Sequence, residues 1–144
     1  MMIGLLALTV AAAFTGAAFY VNVAEQPARL VLDDQALLAE WKPAYRRGAA
    51  MQASLALVGF ALGLAAWWQA PRAGFLIGAA AMIAPWPWTL LVIKPVNDRL
   101  LATAPEEAGP ASRALVVKWG GLHSVRTVFG AIATMAFLSA LWTR

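Results

Sequence analysis

The chain has no cysteine and only one histidine, His123, in 144 residues. Disulfides, thiolate nucleophiles and Cys-ligated metals are therefore excluded. One imidazole with dispersed carboxylates also lacks the clustered ligand spacing of zinc or iron centres. A haem would find His123 and only methionines on other segments as axial candidates. Charge is scarce as well: 12% of residues are charged and 62% hydrophobic, whereas soluble domains run at roughly 25% and 45–50%. The basic residues are scattered among acids, which argues against a nucleic-acid surface. Neither a phosphate-binding glycine loop nor a nucleotide fingerprint occurs.

Where the charge is missing is the informative pattern. Residues 1–24, 48–71 and 73–93 carry none, and after Arg126 only Arg144 does. Crossing a hydrocarbon core takes about 20 apolar residues at roughly 1.5 Å each, so four transmembrane helices are expected, at about 2–24, 48–70, 73–94 and 121–142. The first segment lacks a basic start and exceeds the roughly 7–15 apolar residues of a signal core, so it reads as a span. The expectation is one integral membrane domain over residues 1–144: an all-α, four-transmembrane-helix bundle with the lipid bilayer as its surroundings. Self-association into a homo-oligomer is left open.

Four spans put both termini and the short link at 69–74 on one side, and two long connections, roughly 25–47 and 95–120, on the other. The long side holds eight basic residues (Arg29, Lys42, Arg46, Arg47, Lys94, Arg99, Arg113, Lys118) against Arg72 and Arg144 on the short side. By the positive-inside rule the long side is cytoplasmic, in a bacterial-type inner membrane, with both termini outside. Trp67, Trp68 and Trp142 fit an aromatic belt at the short-side interface, and Trp41 and Trp119 one at the other. In the first long connection, Pro27 suits a helix start, and Leu30, Leu37 and Leu38 recur at helical spacing. A short amphipathic helix ending at Pro43 is expected there. "TAPEEAGPAS" reads as an exposed loop, and "ASRALVVKW" as helix resuming before the fourth span. "APWPWTLL" places two prolines inside the third span, which must therefore bend. Gly59 and Gly63 read as close helix packing.

Residues able to carry chemistry gather where the spans meet the long side. Span one ends with Tyr20, Asn22, Glu25 and Arg29. Span two begins after Trp41, Tyr45, Arg46 and Arg47. Span three exits through Lys94, Asn97, Asp98 and Arg99. At the start of span four, offsets of four, three and four put Trp119, His123, Arg126 and Thr127 on one helical face. Arg126 lies about one turn inside the membrane, where an unpaired guanidinium costs at least roughly 2.5–3.5 kcal/mol. It therefore needs a carboxylate, with Glu25 and Asp98 as the nearest acids, or an anionic ligand. Beside such a cation the neutral, proton-accepting imidazole is favoured. That combination suits a general base next to an anion-stabilising group. Trp86 and Trp88 read either as a packed bend or as walls of an apolar pocket for a flat ligand. Lys42, Arg47, Arg113, Lys118 and the Glu106–Glu107 pair read as solvated or headgroup-facing.

The order of these motifs along the spans resembles the anthrone oxygenase-like family of small four-span membrane proteins. The matching stretches are "NVAEQPARL" after span one, "AYRRG" preceded by Trp41, Pro95 with "ND" and Leu100 after span three, and Trp119, His123 and Arg126 opening span four. The resemblance implies oxidation of an anthrone-like or phenolic aromatic by molecular oxygen, with no cofactor. It implies His123 as the base, aided by Arg126 and Glu25. Arg29 or Arg99 would help hold the enolate, Tyr45 and Asn97 would bind substrate oxygens, and Trp86, Trp88 and Trp119 would wall the ring. The competing reading is a non-catalytic module that binds a lipid or quinone, or that assists assembly of a partner. A transporter fits less well, because no internal repeat is visible and the polar residues sit at one edge.

Overall fold

The computed structural model describes residues 1–142. The shortness of the apolar runs and the breaks between them resolve into four long helices: α1 Met2–Arg29, α2 Asp34–Gln69, α3 Ala73–Ala102 and α4 Pro110–Trp142. Each is long and apolar enough to cross a membrane. No strand occurs among the described residues. The helices run up and down around a ring in which α1 packs on α2, α2 on α3, α3 on α4 and α4 back on α1. The expected all-α four-helix bundle is what the chain forms, and its length and hydropathy identify an integral membrane protein. Arg144, counted above on the short side, lies outside the described residues.

The helices differ from the expected spans in extent. No separate amphipathic helix follows α1. The chain instead makes a tight corner at residues 30–33, where the Asp33 side chain accepts from the Ala36 amide at 2.8 Å and starts α2. That helix then runs straight through Pro43. The proline removes one backbone bond, and burial of Leu37, Leu38 and Trp41 just before it offsets the loss. Arg113 fastens the corner from α4: it pairs with Asp34 and donates to the carbonyls of Leu30 and Leu32. Arg113 is thus a half-buried clamp rather than a solvated charge. Lys42 likewise donates to the Thr103 carbonyl at 2.6 Å.

Two helices contain a wider, π-type turn: Val21–Glu25 in α1 and Thr89–Ile93 in α3. The second follows a break at Ala84 and the Pro85–Trp88 turn, which is the bend the two prolines required. Single π turns in long helices rephase the residues that follow them and recur at functional sites. Both lie toward the end of the bundle that carries the long connections.

The interior divides into two packed regions. Toward the termini, Ala7, Ala11, Phe14, Ala56, Met82, Ala133 and Phe137 form one cluster. Here glycine is required by close approach: a Cβ at Gly63 would come within 2.8 Å of the Phe137 ring, and one at Gly78 would overlap that ring. Toward the connections, Leu37, Leu38, Trp41, Ile93, Leu100, Val116 and Trp119 form the second cluster. Trp68 and Trp142 are 84% exposed, as a lipid-facing belt demands, but Trp41 and Trp119 are buried and belong to the core.

Candidate functional site

Between these clusters, all four helices contribute to a cleft of about 450 Å³, counting its open mouth. Val21, Glu25 and Arg29 come from α1; Tyr45, Gly48 and Gln52 from α2; Thr89, Ile93 and Asn97 from α3; Trp119, His123 and Arg126 from α4.

Side chains of α1 dock on α4 through a ladder one helical turn apart. Asn22 donates its Nδ2 to the Gly120 carbonyl at 3.0 Å, and Gln26 donates Nε2 to the Val116 carbonyl at 2.9 Å. The approach leaves no room for a side chain at Gly120, where a Cβ would sit 2.6 Å from Gln26 Nε2. Fixing Nδ2 in this way turns the other face of the amide toward His123. Asn22 Oδ1 lies 3.1 Å from His123 Nδ1 and also accepts from Thr127 at 3.1 Å. An amide oxygen only accepts, so Nδ1 carries the hydrogen. In the neutral imidazole Nε2 then holds the lone pair. Nothing among the described residues hydrogen-bonds Nε2.

The imidazole is 3% exposed and leans on the Trp119 indole, with ring centroids 4.9 Å apart. Trp119 meets Trp41 edge-on at 5.7 Å, and Trp41 stacks on Tyr45 at 4.9 Å with the planes 2° apart. This aromatic row forms one wall. At its end Tyr45 Oη accepts from Asn97 Nδ2 at 3.0 Å, so the phenolic proton remains free to donate. Arg29, 3% exposed, lies 5.8 Å from the Trp119 ring and pairs with both Glu25 and Glu40.

Arg126 stands apart. It is 8% exposed, its guanidinium lies 5.8 Å from the Phe14 ring, and no carboxylate pairs with it among the described residues. The two acids that the sequence offers as its partners are engaged elsewhere: Glu25 with Arg29, and Asp98 with Lys94 at 2.6 Å on the exposed side of α3. The cleft also collects buried polar atoms without a partner: Gln52 Oε1, Thr89 Oγ1, Asn97 Oδ1, Arg29 Nη1 and Arg126 Nε. Each such atom costs about 1–3 kcal/mol when left unpaired. Water or a polar ligand relieves that cost.

Of the residues to which the resemblance gives a role, the cleft brings together His123, Arg126, Glu25, Arg29, Tyr45, Asn97 and Trp119. Three do not reach it. Arg99 is exposed on the outer face of α3, because the helical phase that buries Val96, Asn97 and Leu100 turns it outward. Trp88 donates Nε1 to the Leu122 carbonyl at 3.1 Å and so braces α3 on α4 instead of walling the cleft. Trp86 borders a neighbouring groove. Gln52 and Thr89 were missed. A lone glutamine in the largely apolar "MQASLALVG" was the available signal, while a threonine beside two prolines offered none.

A family model described as anthrone oxygenase matches residues 41–136. The match takes in Tyr45, Gln52, Thr89, Asn97, Trp119, His123 and Arg126, and stops short of Asn22, Glu25 and Arg29. No curated protein and no solved structure matches the chain.

Proposed function

The chain belongs to the anthrone oxygenase family, and from that premise we propose that the cleft oxidises an oxygenated aromatic bearing an acidic ring carbon, with molecular oxygen as oxidant. His123 Nε2 takes the proton from that carbon, and the Nδ1–H bond to Asn22 holds the ring in the required tautomer. The electron pair left behind delocalises onto the ring oxygen. Arg126, lacking any carboxylate, supplies the charge that stabilises this enolate, and Tyr45 donates to a substrate oxygen. Trp119 and the aromatic row behind it pack against the flat ring system.

The enolate carbon then bonds to oxygen, whose reduction to the peroxide level is supplied by that carbon. His123 returns its proton to the peroxide. Removal of the second hydrogen from the same carbon breaks the O–O bond, hydroxide leaves as water, and the carbon becomes a carbonyl. One methylene and one O2 give one carbonyl and one water. Glu25, paired with Arg29, fixes that guanidinium at the cleft wall rather than acting on substrate. In this reading the basic connection end faces the cytoplasm and both termini face outward.

The observation that carries the proposal is the buried, unpaired Arg126 in the same cleft as an imidazole with a free Nε2. Oxygen uptake by the purified protein with an anthrone tests it. His123→Gln and Arg126→Gln should each lose turnover while the bundle remains folded. Unchanged uptake in both would contradict these roles, and wild-type uptake no faster than without protein, with a ring ligand still bound, would favour a non-catalytic ligand-binding module.

A further inference from the structure

A second space adjoins the cleft. It is a groove of about 420 Å³, counting its open side, between Ala49 and Ala53 of α2 and Pro85, Trp86 and Leu90 of α3. Its inner end is Arg126, and Ala49, Thr89 and Arg126 border both spaces. Its outer rim is exposed apolar surface, with Trp86 36% and Leu90 55% exposed on helices that span the membrane. The groove therefore runs from the lipid-facing side of the bundle to Arg126, a buried cation that no carboxylate pairs among the described residues.

The sequence builds both walls. On α2, Ala49 and Ala53 lie one turn apart and present only methyl groups to the gap. On α3, the helix breaks at Ala84, and the Pro85–Trp88 turn and the π turn that follows it carry the facing residues. Elsewhere the α2–α3 contact is closed by glycine and methionine, where a Cβ on Gly59 would sit 2.5 Å from Met82. The groove lies where the proline break is.

We infer that this groove is a lateral port through which the substrate enters from the bilayer, and that it houses the apolar tail of a membrane-dissolved amphiphile whose oxygen-bearing ring sits against Arg126. The inference deepens the function proposed above and rests on its placement of the ring in the cleft. Continuity of the two spaces at Arg126 and the charge complementarity of that end argue for this occupant. A tail passing from lipid into the groove exchanges one apolar surrounding for another, so it adds little affinity. The groove's role is to let the tail remain in place while the ring binds.

The test measures binding in lipid nanodiscs of two stable probes, a dihydroxyanthraquinone and its octyl-chain derivative. Wild-type protein should bind both within about threefold of each other. Ala53→Trp fills the groove and should weaken the octyl probe by roughly tenfold or more, the scale on which a steric clash displaces a group, and the bare ring by no more than about threefold. Ala53→Leu should act in the same direction to a smaller extent. Leu57→Trp, on the same helix at a position 45% exposed to lipid, should change neither. Arg126→Gln should weaken both probes together. The inference is overturned if wild-type protein rejects the octyl probe, or if Ala53→Trp acts on both probes alike or on neither. Because the readout is binding of an already oxidised ring, absent oxygen uptake by wild-type protein would count against the reaction and leave the port standing. Loss of the tail discrimination would remove the port and leave the reaction standing.

Discussion

At the end of the bundle that carries the termini, the helices meet through alanine, glycine and phenylalanine rings. At the end that carries the long connections they meet through tryptophan, leucine and side-chain amides, and two of them contain π turns. The first arrangement seals. Small residues let helix backbones approach closely, and van der Waals contact is what holds helices together in lipid. The second arrangement holds space open: large rings and wide turns keep the helices apart, and polar atoms without partners line the gap. Under the proposed function, stability and chemistry thus occupy opposite ends of the same four helices.

Substitutions at the two ends should separate these roles. The largest effect is expected for His123→Gln, which removes the base. Turnover should fall by roughly 10²–10⁴-fold, the usual contribution of general base catalysis, with thermal unfolding little changed. A variant that unfolds as early as it loses activity would break the division. At the sealed end, Phe137→Ala should show the reverse. Truncating a buried ring costs about 3–5 kcal/mol, so the unfolding temperature should drop while KM for a ring substrate holds. Asn22→Leu comes next. It leaves the Nδ1–H of His123 without its acceptor, at about 1–3 kcal/mol. With its base misoriented the protein should lose kcat with KM nearly unchanged, whereas a purely structural role for Asn22 would lower stability and leave the kcat of the folded fraction alone. The smallest effect belongs to Arg113→Ala. Its ion pair with Asp34 is about a third exposed, so about 1 kcal/mol or less is expected after solvent screening. Faster hydrogen exchange at residues 30–34 would report it.

The architecture could be read from composition, because charge-free runs of span length leave few alternatives to a helical bundle in lipid. The helix ends could not be read in the same way. Pro43 looked like a terminator, yet tertiary burial of Leu37, Leu38 and Trp41 carried α2 through it. Likewise Trp41 and Trp119 looked interfacial because tryptophan favours that depth, and only the packing of α2 on α4 reveals them as core. At the site, helical spacing correctly put Trp119, His123, Arg126 and Thr127 on one face. Pairing between distant segments was not legible: nothing in the sequence says that Glu25 answers Arg29 rather than Arg126, or that Asn22 meets His123. Those partners depend on the phase set by the π turn at Val21–Glu25. The same limit explains Arg99 and Trp88, which have suitable chemistry at helical phases that face away from the cleft.

In the proposed reaction His123 removes a proton from a ring carbon held beside Arg126. Without oxygen, that step alone remains, and it can be followed as exchange of the carbon-bound hydrogen for deuterium from the solvent. Wild-type protein should accelerate this exchange on an anthrone under anaerobic conditions, and His123→Gln should reduce it to the rate without protein. Exchange at the wild-type rate in His123→Gln, or aerobic oxidation by wild-type protein with no anaerobic exchange, would contradict the claim.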